Sequence, residues 1–168
     1  MLKIAPAGAG PLIGFATLNI NPSMMLQYAQ AAIDKGVDYG FGSKDPNLGK
    51  WPIDYSAIDC SGFVRAILAY STLGQTQRYD MPDGSFLEAD WFKAQGFKAT
   101  MYAMTVNVDG HVRVGIHRPG GRGGDSVGHI WLVYRGQSIE SYGGNGPGRR
   151  AWDHQWFLDH VDECYVLC

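Results

Sequence analysis

Asp59-Cys60-Ser61-Gly62-Phe63-Val64 marks the point where a loop rich in Gly, Pro and Asp gives way to an apolar run. In that run Phe63, Val64, Ile67, Leu68 and Tyr70 recur at the spacing of one helix face. Gly74 supplies the stop signal. Cys60 is therefore expected at the first turn of a helix. There the unpaired backbone N–H groups and the positive end of the helix dipole favour a thiolate over a thiol. The same N–H groups can donate to an oxyanion formed when sulfur attacks a carbonyl. The alternative is an ordinary buried cysteine, packed as a small hydrophobe.

Composition sets the frame. The chain has 168 residues, enough for one domain with a real core. Hydrophobic residues make up 45% and charged residues 18%, which places it among globular and not disordered chains. The formal net charge is −2, and Arg149-Arg150 is too short a basic run to imply a nucleic-acid partner. No apolar run reaches the roughly 18 residues of a membrane span. The start of the chain, with Lys3 and a weakly apolar stretch broken by Pro6 and Pro11, makes a poor signal peptide. Residues 1–20 are read as an irregular N-terminal arm and 21–168 as a single domain.

Three cysteines, Cys60, Cys164 and Cys168, argue against a disulfide framework. On a strand Cys164 and Cys168 would lie about 13 Å apart, beyond bridging distance. Both are read as structural. Glycine concentrates in 36–49, 120–128 and 143–148, tight-turning loops of the kind that line sites on a rigid scaffold.

Asn21-Pro22-Ser23 opens a first helix whose apolar face holds Met24, Met25, Tyr28, Ala29, Ala32 and Ile33, with Gly36 ending it. After the Cys60 helix, Ser85 and Glu88 have the spacing of a capping box for a short helix to about Gln95. From Phe97 the texture changes. Phe97–Val108, Val112–His117, Val127–Tyr134, Ser138–Tyr142 and Glu163–Leu167 are β-branched and aromatic segments separated by turns. Asp153–His160 is expected to be one short helix. Helices first and strands afterwards give an α+β domain with a mainly antiparallel sheet, the Cys60 helix lying across one face.

A cysteine nucleophile needs a base, and usually a third polar group to hold that base. Of the five histidines, His129 is best placed, at the start of the strong strand pattern Gly128-His129-Ile130-Trp131-Leu132-Val133-Tyr134. A tight turn at Arg135-Gly136-Gln137 pairs this strand with Ser138–Tyr142. A residue near the end of the second strand then faces the start of the first. Glu140 is the ionisable candidate to fix the His129 tautomer. Ser141 is one residue away, and a register slip of one exchanges the faces. Asn145 is a third candidate.

In this order and local sequence the chain resembles the NlpC/P60 family of papain-like cysteine peptidases. The likeness rests on Asp59-Cys60-Ser61-Gly62-Phe63-Val64, on His129-Ile130-Trp131-Leu132-Val133, and on Ile139-Glu140-Ser141 where the family carries its third polar residue. Upstream, Tyr39-Gly40-Phe41-Gly42-Ser43 is similar to the family's aromatic-Gly loop. The resemblance implies hydrolysis of amide bonds in bacterial peptidoglycan stem peptides, often next to D-γ-glutamyl and diamino-acid residues. By it Cys60 is the nucleophile, His129 the general base and acid, and Glu140 the orienting group, with no metal and no cofactor. Tyr39, Asp59 and Ser61 match positions that in some members hold the free amino end of a stem peptide; Asp59 is equally suited to be a helix N-cap. Three features depart from the family: the third residue is often His, the loop Lys44–Ile58 is long, and Val112–Asp125 has no counterpart.

The rival readings belong to other classes. His154, His160 and Cys164 are spaced six and four apart. On a helix positions 154 and 160 fall roughly 120° away from a common face, a poor metal arrangement. His111 and His117, on a strand, would be about 20 Å apart. The run Gly143–Arg150 lacks the Lys-Ser/Thr of a phosphate loop and is read as a cleft wall, with Arg149 able to meet an acidic substrate carboxylate. Trp131, Trp152 and Trp156 are read as core or rim packing. The alternative function is a non-catalytic or acyl-transferring papain-like domain serving as a binding part of a phage or secretion particle. A wall hydrolase of this kind is expected to act at the bacterial cell wall or periplasm. Its delivery would be by phage or secretion machinery, or by release on lysis, with such a carrier or an inhibitor protein as partner.

Overall fold

The computed structural model describes residues 14–72, 80–100, 110–151 and 154–168. The elements run α1 (Pro22–Asp34), β1 (Asp38–Tyr39), β2 (Ala57–Ile58), α2 (Cys60–Ser71), α3 (Ser85–Ala94), β3 (Lys98–Ala99), β4 (Arg113–His117), β5 (His129–Tyr134), β6 (Gln137–Tyr142), β7 (Gly146–Gly148), α4 (Gln155–His160) and β8 (Glu163–Val166). Six strands form one antiparallel sheet in the order β3-β8-β4-β5-β6-β7. A separate two-stranded parallel pair joins β1 to β2. The architecture is α+β, as its residue pattern requires. Gly74, Trp152, Asp153, residues 101–108 of the expected strand Phe97–Val108 and the first 13 residues of the arm lie outside the described residues.

Period-two alternation divides the sheet into two faces. Ile130, Leu132 and Tyr134 of β5, with Ile139 of β6 and Val114 and Ile116 of β4, join the main core with Met25, Tyr28, Phe63 and Ile67 of α1 and α2. Trp131 and Val133 point the other way and form a second, smaller core with Phe157 and Val161 beside α4. The Cys60 helix therefore lies against one face and α4 covers part of the other. Residues 14–20 run along the domain: Leu18 N–H donates to the Leu167 carbonyl at 2.7 Å, and Leu18 and Ile20 are buried.

Three local expectations are corrected. The β5–β6 turn has two residues, not three: Tyr134 pairs with Gln137, and Arg135 and Gly136 have φ of 49° and 72°. Positive φ at both central positions matches the right-handed twist of the flanking strands. Ser85 is not the cap of α3. Gly84 holds that position with no side-chain hydrogen bond. Ser85 turns instead toward the His129 strand, its hydroxyl standing where a side chain on Gly128 would begin. β7 was expected only as loop; it pairs Gly148 with Glu140 and Gly146 with Tyr142.

Candidate active site

Asn and Asp side chains start both long N-terminal helices, and the second start builds the site. Asp59 is the N-cap of α2: its Oδ1 accepts from Gly62 N–H at 2.7 Å. Cys60 is the first residue of the helix and lines a cavity of about 270 Å³ with Tyr39, Asp59 and Ser61. The residue is buried, at 6% exposure, and belongs to the edge of the main core while lining that cavity.

His129 comes to it from β5. Its Nε2 lies 2.7 Å from Glu140 Oε2, and Cys60 is close enough to raise its pKa. The register explains the meeting. Leu132 opposes Ile139 and Val133 opposes Ser138, so Trp131 stands opposite Glu140, and His129 shares their face. Ser141 is on the opposite face, donating to the Ile58 carbonyl at 2.8 Å, and Asn145 is exposed beyond the strand. Of the three candidates for the third position, Glu140 is the one brought to the imidazole.

The His129 ring is fixed from other sides too. It stacks on Trp131 at 5.4 Å between centroids and meets Trp156 of α4 edge-on at 5.5 Å. Trp131 in turn fills the space over Gly115, its strand neighbour, where an added Cβ would come within 2.5 Å of the indole. Burial by itself favours the neutral imidazole. Hydrogen bonds to Cys60 and Glu140 and the charges of both outweigh it, raising His129 from 6.5 to about 9. Burial likewise opposes ionisation of Glu140, but His129, Arg150 and Ser138 together bring it down to about 2.

Arg150 is the residue that the sequence reading missed. Its Nε donates to Glu140 Oε1 and a terminal nitrogen to Oε2, each at 2.8 Å, while Ser138 Oγ donates to Oε1 at 2.6 Å. The guanidinium also lies 4.4 Å from the Tyr142 ring centroid and 4.7 Å from that of Phe157. With Tyr39, Gly128, His129 and Trp156 it lines a second cavity of about 330 Å³. Tyr39, Val127 and Gly128 border both cavities, so one cleft runs past Cys60 and His129. Arg149 does not line that cleft. It is exposed and bonded to Gln137, because backbone alternation turns adjacent residues to opposite sides of the strand continuing β7.

Three more groups complete the surroundings. Burial and the charges of Cys60 and Asp59 push the Tyr39 phenol up to about 12, so its hydroxyl is kept neutral. Lys44 Nζ lies 2.7 and 2.6 Å from the two Asp59 oxygens and 2.6 Å from Ser61 Oγ. Glu88 is fully buried, and neither carboxyl oxygen has a partner among the described residues. Burial first, then the charge of Cys60, holds that carboxyl well above the usual carboxylate range. No sequence signal distinguished it, since Glu three residues after Ser reads as a cap.

The remaining histidines are placed elsewhere. His154 caps α4 through Trp156 N–H, and His160 bonds the Trp156 carbonyl. Cys164 is buried in β8. His117 ends β4, fully buried, with Nδ1 2.9 Å from the His160 carbonyl and 3.1 Å from Asp162 Oδ2. Asp162 also accepts from Arg118 and Arg122 N–H groups, which fastens the unmatched loop 118–122 against the end of the sheet. A larger hollow beside β3 and β8 is lined by Cys164 but by none of the residues read as catalytic or substrate-binding.

No protein-family model matches the sequence, and no curated protein matches it. Among solved structures, the chain is similar to a lipoprotein-like protein of the NLP/P60 family from Staphylococcus aureus subsp. aureus Mu50, with a TM-score of 0.52 and 16% identity. The match takes in 90% of this chain and 44% of that one, so the chain spans less than half the length of the protein it is similar to. At that identity the likeness is one of fold. With α1 and α2 against one face of an antiparallel sheet and α4 on the other, this chain has the α+β fold of that NLP/P60-family protein.

Proposed function

We propose that the chain is a cysteine peptidase or amidase that hydrolyses amide bonds in bacterial peptidoglycan stem peptides, of the D-γ-glutamyl–diamino acid type. The observation that carries this reading is the His129 ring held between Cys60 and Glu140. A largely buried imidazole with a carboxylate on one nitrogen and a cysteine beside it is the arrangement that prepares sulfur for attack. In the proposed reaction His129 holds the proton of Cys60. The sulfur adds to the amide carbonyl, and first-turn N–H groups of α2 receive the oxyanion. The C–N bond breaks as His129 protonates the leaving amine, leaving a thioester on Cys60. Water, deprotonated by His129, then attacks the thioester and releases the acid. Glu140 keeps the ring oriented and balances its charge throughout. The NLP/P60 likeness of the fold supports the substrate class, and the site of action is proposed to be the bacterial wall.

The test is digestion of purified muropeptides with the wild-type chain and with Cys60→Ala, the products being weighed by mass spectrometry. Expected is a gain of one water per cut with the wild type and none with the variant. Unchanged muropeptides with the folded wild type would overturn the proposal.

A further inference from the structure

The Cys60 end of the cleft carries a feature that bears on which amide the site accepts. Asp59 is the buried acid of that cavity, and it is already saturated. Four groups of the chain itself donate to it: Gly42 N–H, Gly62 N–H, Ser61 Oγ and the Lys44 ammonium, the last reaching both oxygens. A carboxylate offers about four lone-pair sites, so none is left for a ligand. Ser61 Oγ is engaged as well, accepting from Lys44 at 2.6 Å. The Lys44 side chain is 27% exposed and borders the cavity, so a fixed cation faces the substrate. The cavity's other acid, Asp83, is half exposed and paired with Arg65 at 2.8 Å. Around the mouth stand apolar side chains in contact with solvent: Phe41 at 79%, Val127 at 53% and Phe86 at 43% exposure.

From this we infer that the cavity beside Cys60 selects acyl donors whose amine is already amide-bonded, and rejects those that carry a free ammonium. Lys44 occupies the place where an ammonium would find its counter-charge, and a second cation there meets like charge. An N-acyl group brings no charge and has Phe41, Phe86 and Val127 to cover it. The substrate class is thus a stem peptide still linked through its N-terminus, as in intact wall polymer, not a released peptide. This rests on the hydrolase reading above.

The test uses L-alanyl-D-γ-glutamyl-L-lysyl-D-alanine and its N-acetyl counterpart. Their kcat/KM values are compared on the wild type, and their binding to Cys60→Ala is measured by calorimetry. Expected is a preference of about tenfold or more for the acetylated peptide, which moves toward the free amine in Lys44→Met. A wild-type preference for the free amine, or equal rates for the two, would overturn the inference while leaving the hydrolase reading intact. The wild-type ratio decides this even if Lys44→Met does not fold; a folded Lys44→Met with an unmoved ratio also overturns it. If neither peptide is bound or cut, the hydrolase reading falls, and this inference with it.

Discussion

Asp59 and Glu140 flank the Cys60–His129 pair as two buried carboxylates, and each is clamped by a cation from its own side of the chain. Lys44 holds the first and Arg150 the second. They differ in where the remaining acceptor capacity goes. Asp59 spends it on backbone N–H groups of Gly42 and Gly62, fastening a loop to a helix start. Glu140 gives an oxygen to His129. One carboxylate is consumed by architecture, while the other still acts on an ionisable neighbour. Glu88, a third buried acid with no clamp among the described residues, is held well above the usual carboxylate range, chiefly by burial. Glu140, bonded to His129, Arg150 and Ser138, is held below the usual carboxylate range, and Glu88, with none of these bonds, above it.

The comparison can be broken or sharpened by substitution. The largest effect is expected at the pair itself: His129→Ala should lower kcat/KM by about 10³-fold or more with the fold retained, read from muropeptide release alongside circular dichroism. Next, Glu140→Gln should cost on the order of 10²-fold, and the His129 titration, followed by NMR, should fall from about 9. Asp59→Asn should leave that titration in place; if it moves His129 as far as Glu140→Gln does, the division of labour between the two acids is wrong.

Arg150→Ala leaves the fully buried Glu140 without its guanidinium and should cost about 3 kcal/mol of stability, measured by denaturant unfolding. The pH dependence has a definite sign. Glu140, lowered from 4.5 to about 2, contributes stability above pH 4.5 that is lost as pH falls toward 2. His129, raised from 6.5 to about 9, contributes stability below pH 6.5 that is lost as pH rises through 9. The pair is therefore fully stabilising between these ranges, and the difference in Tm between wild type and Glu140→Gln should be greatest there. The smallest effect is Asp59→Asn on stability, about 1 kcal/mol, because Asn remains a good N-cap and the Lys44 pair is partly exposed.

Cys60 and His129 were readable because each lies in a strong local pattern: Asp before an apolar face starts a helix, and alternation marks the strand. Glu140 was one of three candidates, because a turn longer or shorter by one residue exchanges the faces. Arg150 was not readable, since its role depends on β7 pairing with β6, and Gly-Pro-Gly carries almost no strand signal. The adjacent Arg149 was the candidate instead, one residue away and on the wrong side. Lys44 was hidden for a related reason: it lies 15 residues before Asp59 in a loop without periodicity. That loop is pinned at Asp45, which accepts from Tyr28 of α1 at 3.1 Å and from Asn47 N–H at 2.9 Å.

By itself the sequence determined the α+β class, the helix that presents Cys60 and the pairing of the His129 strand with the next one, because these follow from spacing within one or two neighbouring segments. The register that sets Glu140 beside His129 came from the structure. Tertiary structure alone decided which cation clamps which acid, that Ser61 and Asp59 face Lys44, and that Glu88 is buried without a partner among the described residues. Those are contacts between segments, fixed by packing and register, and no local period encodes them.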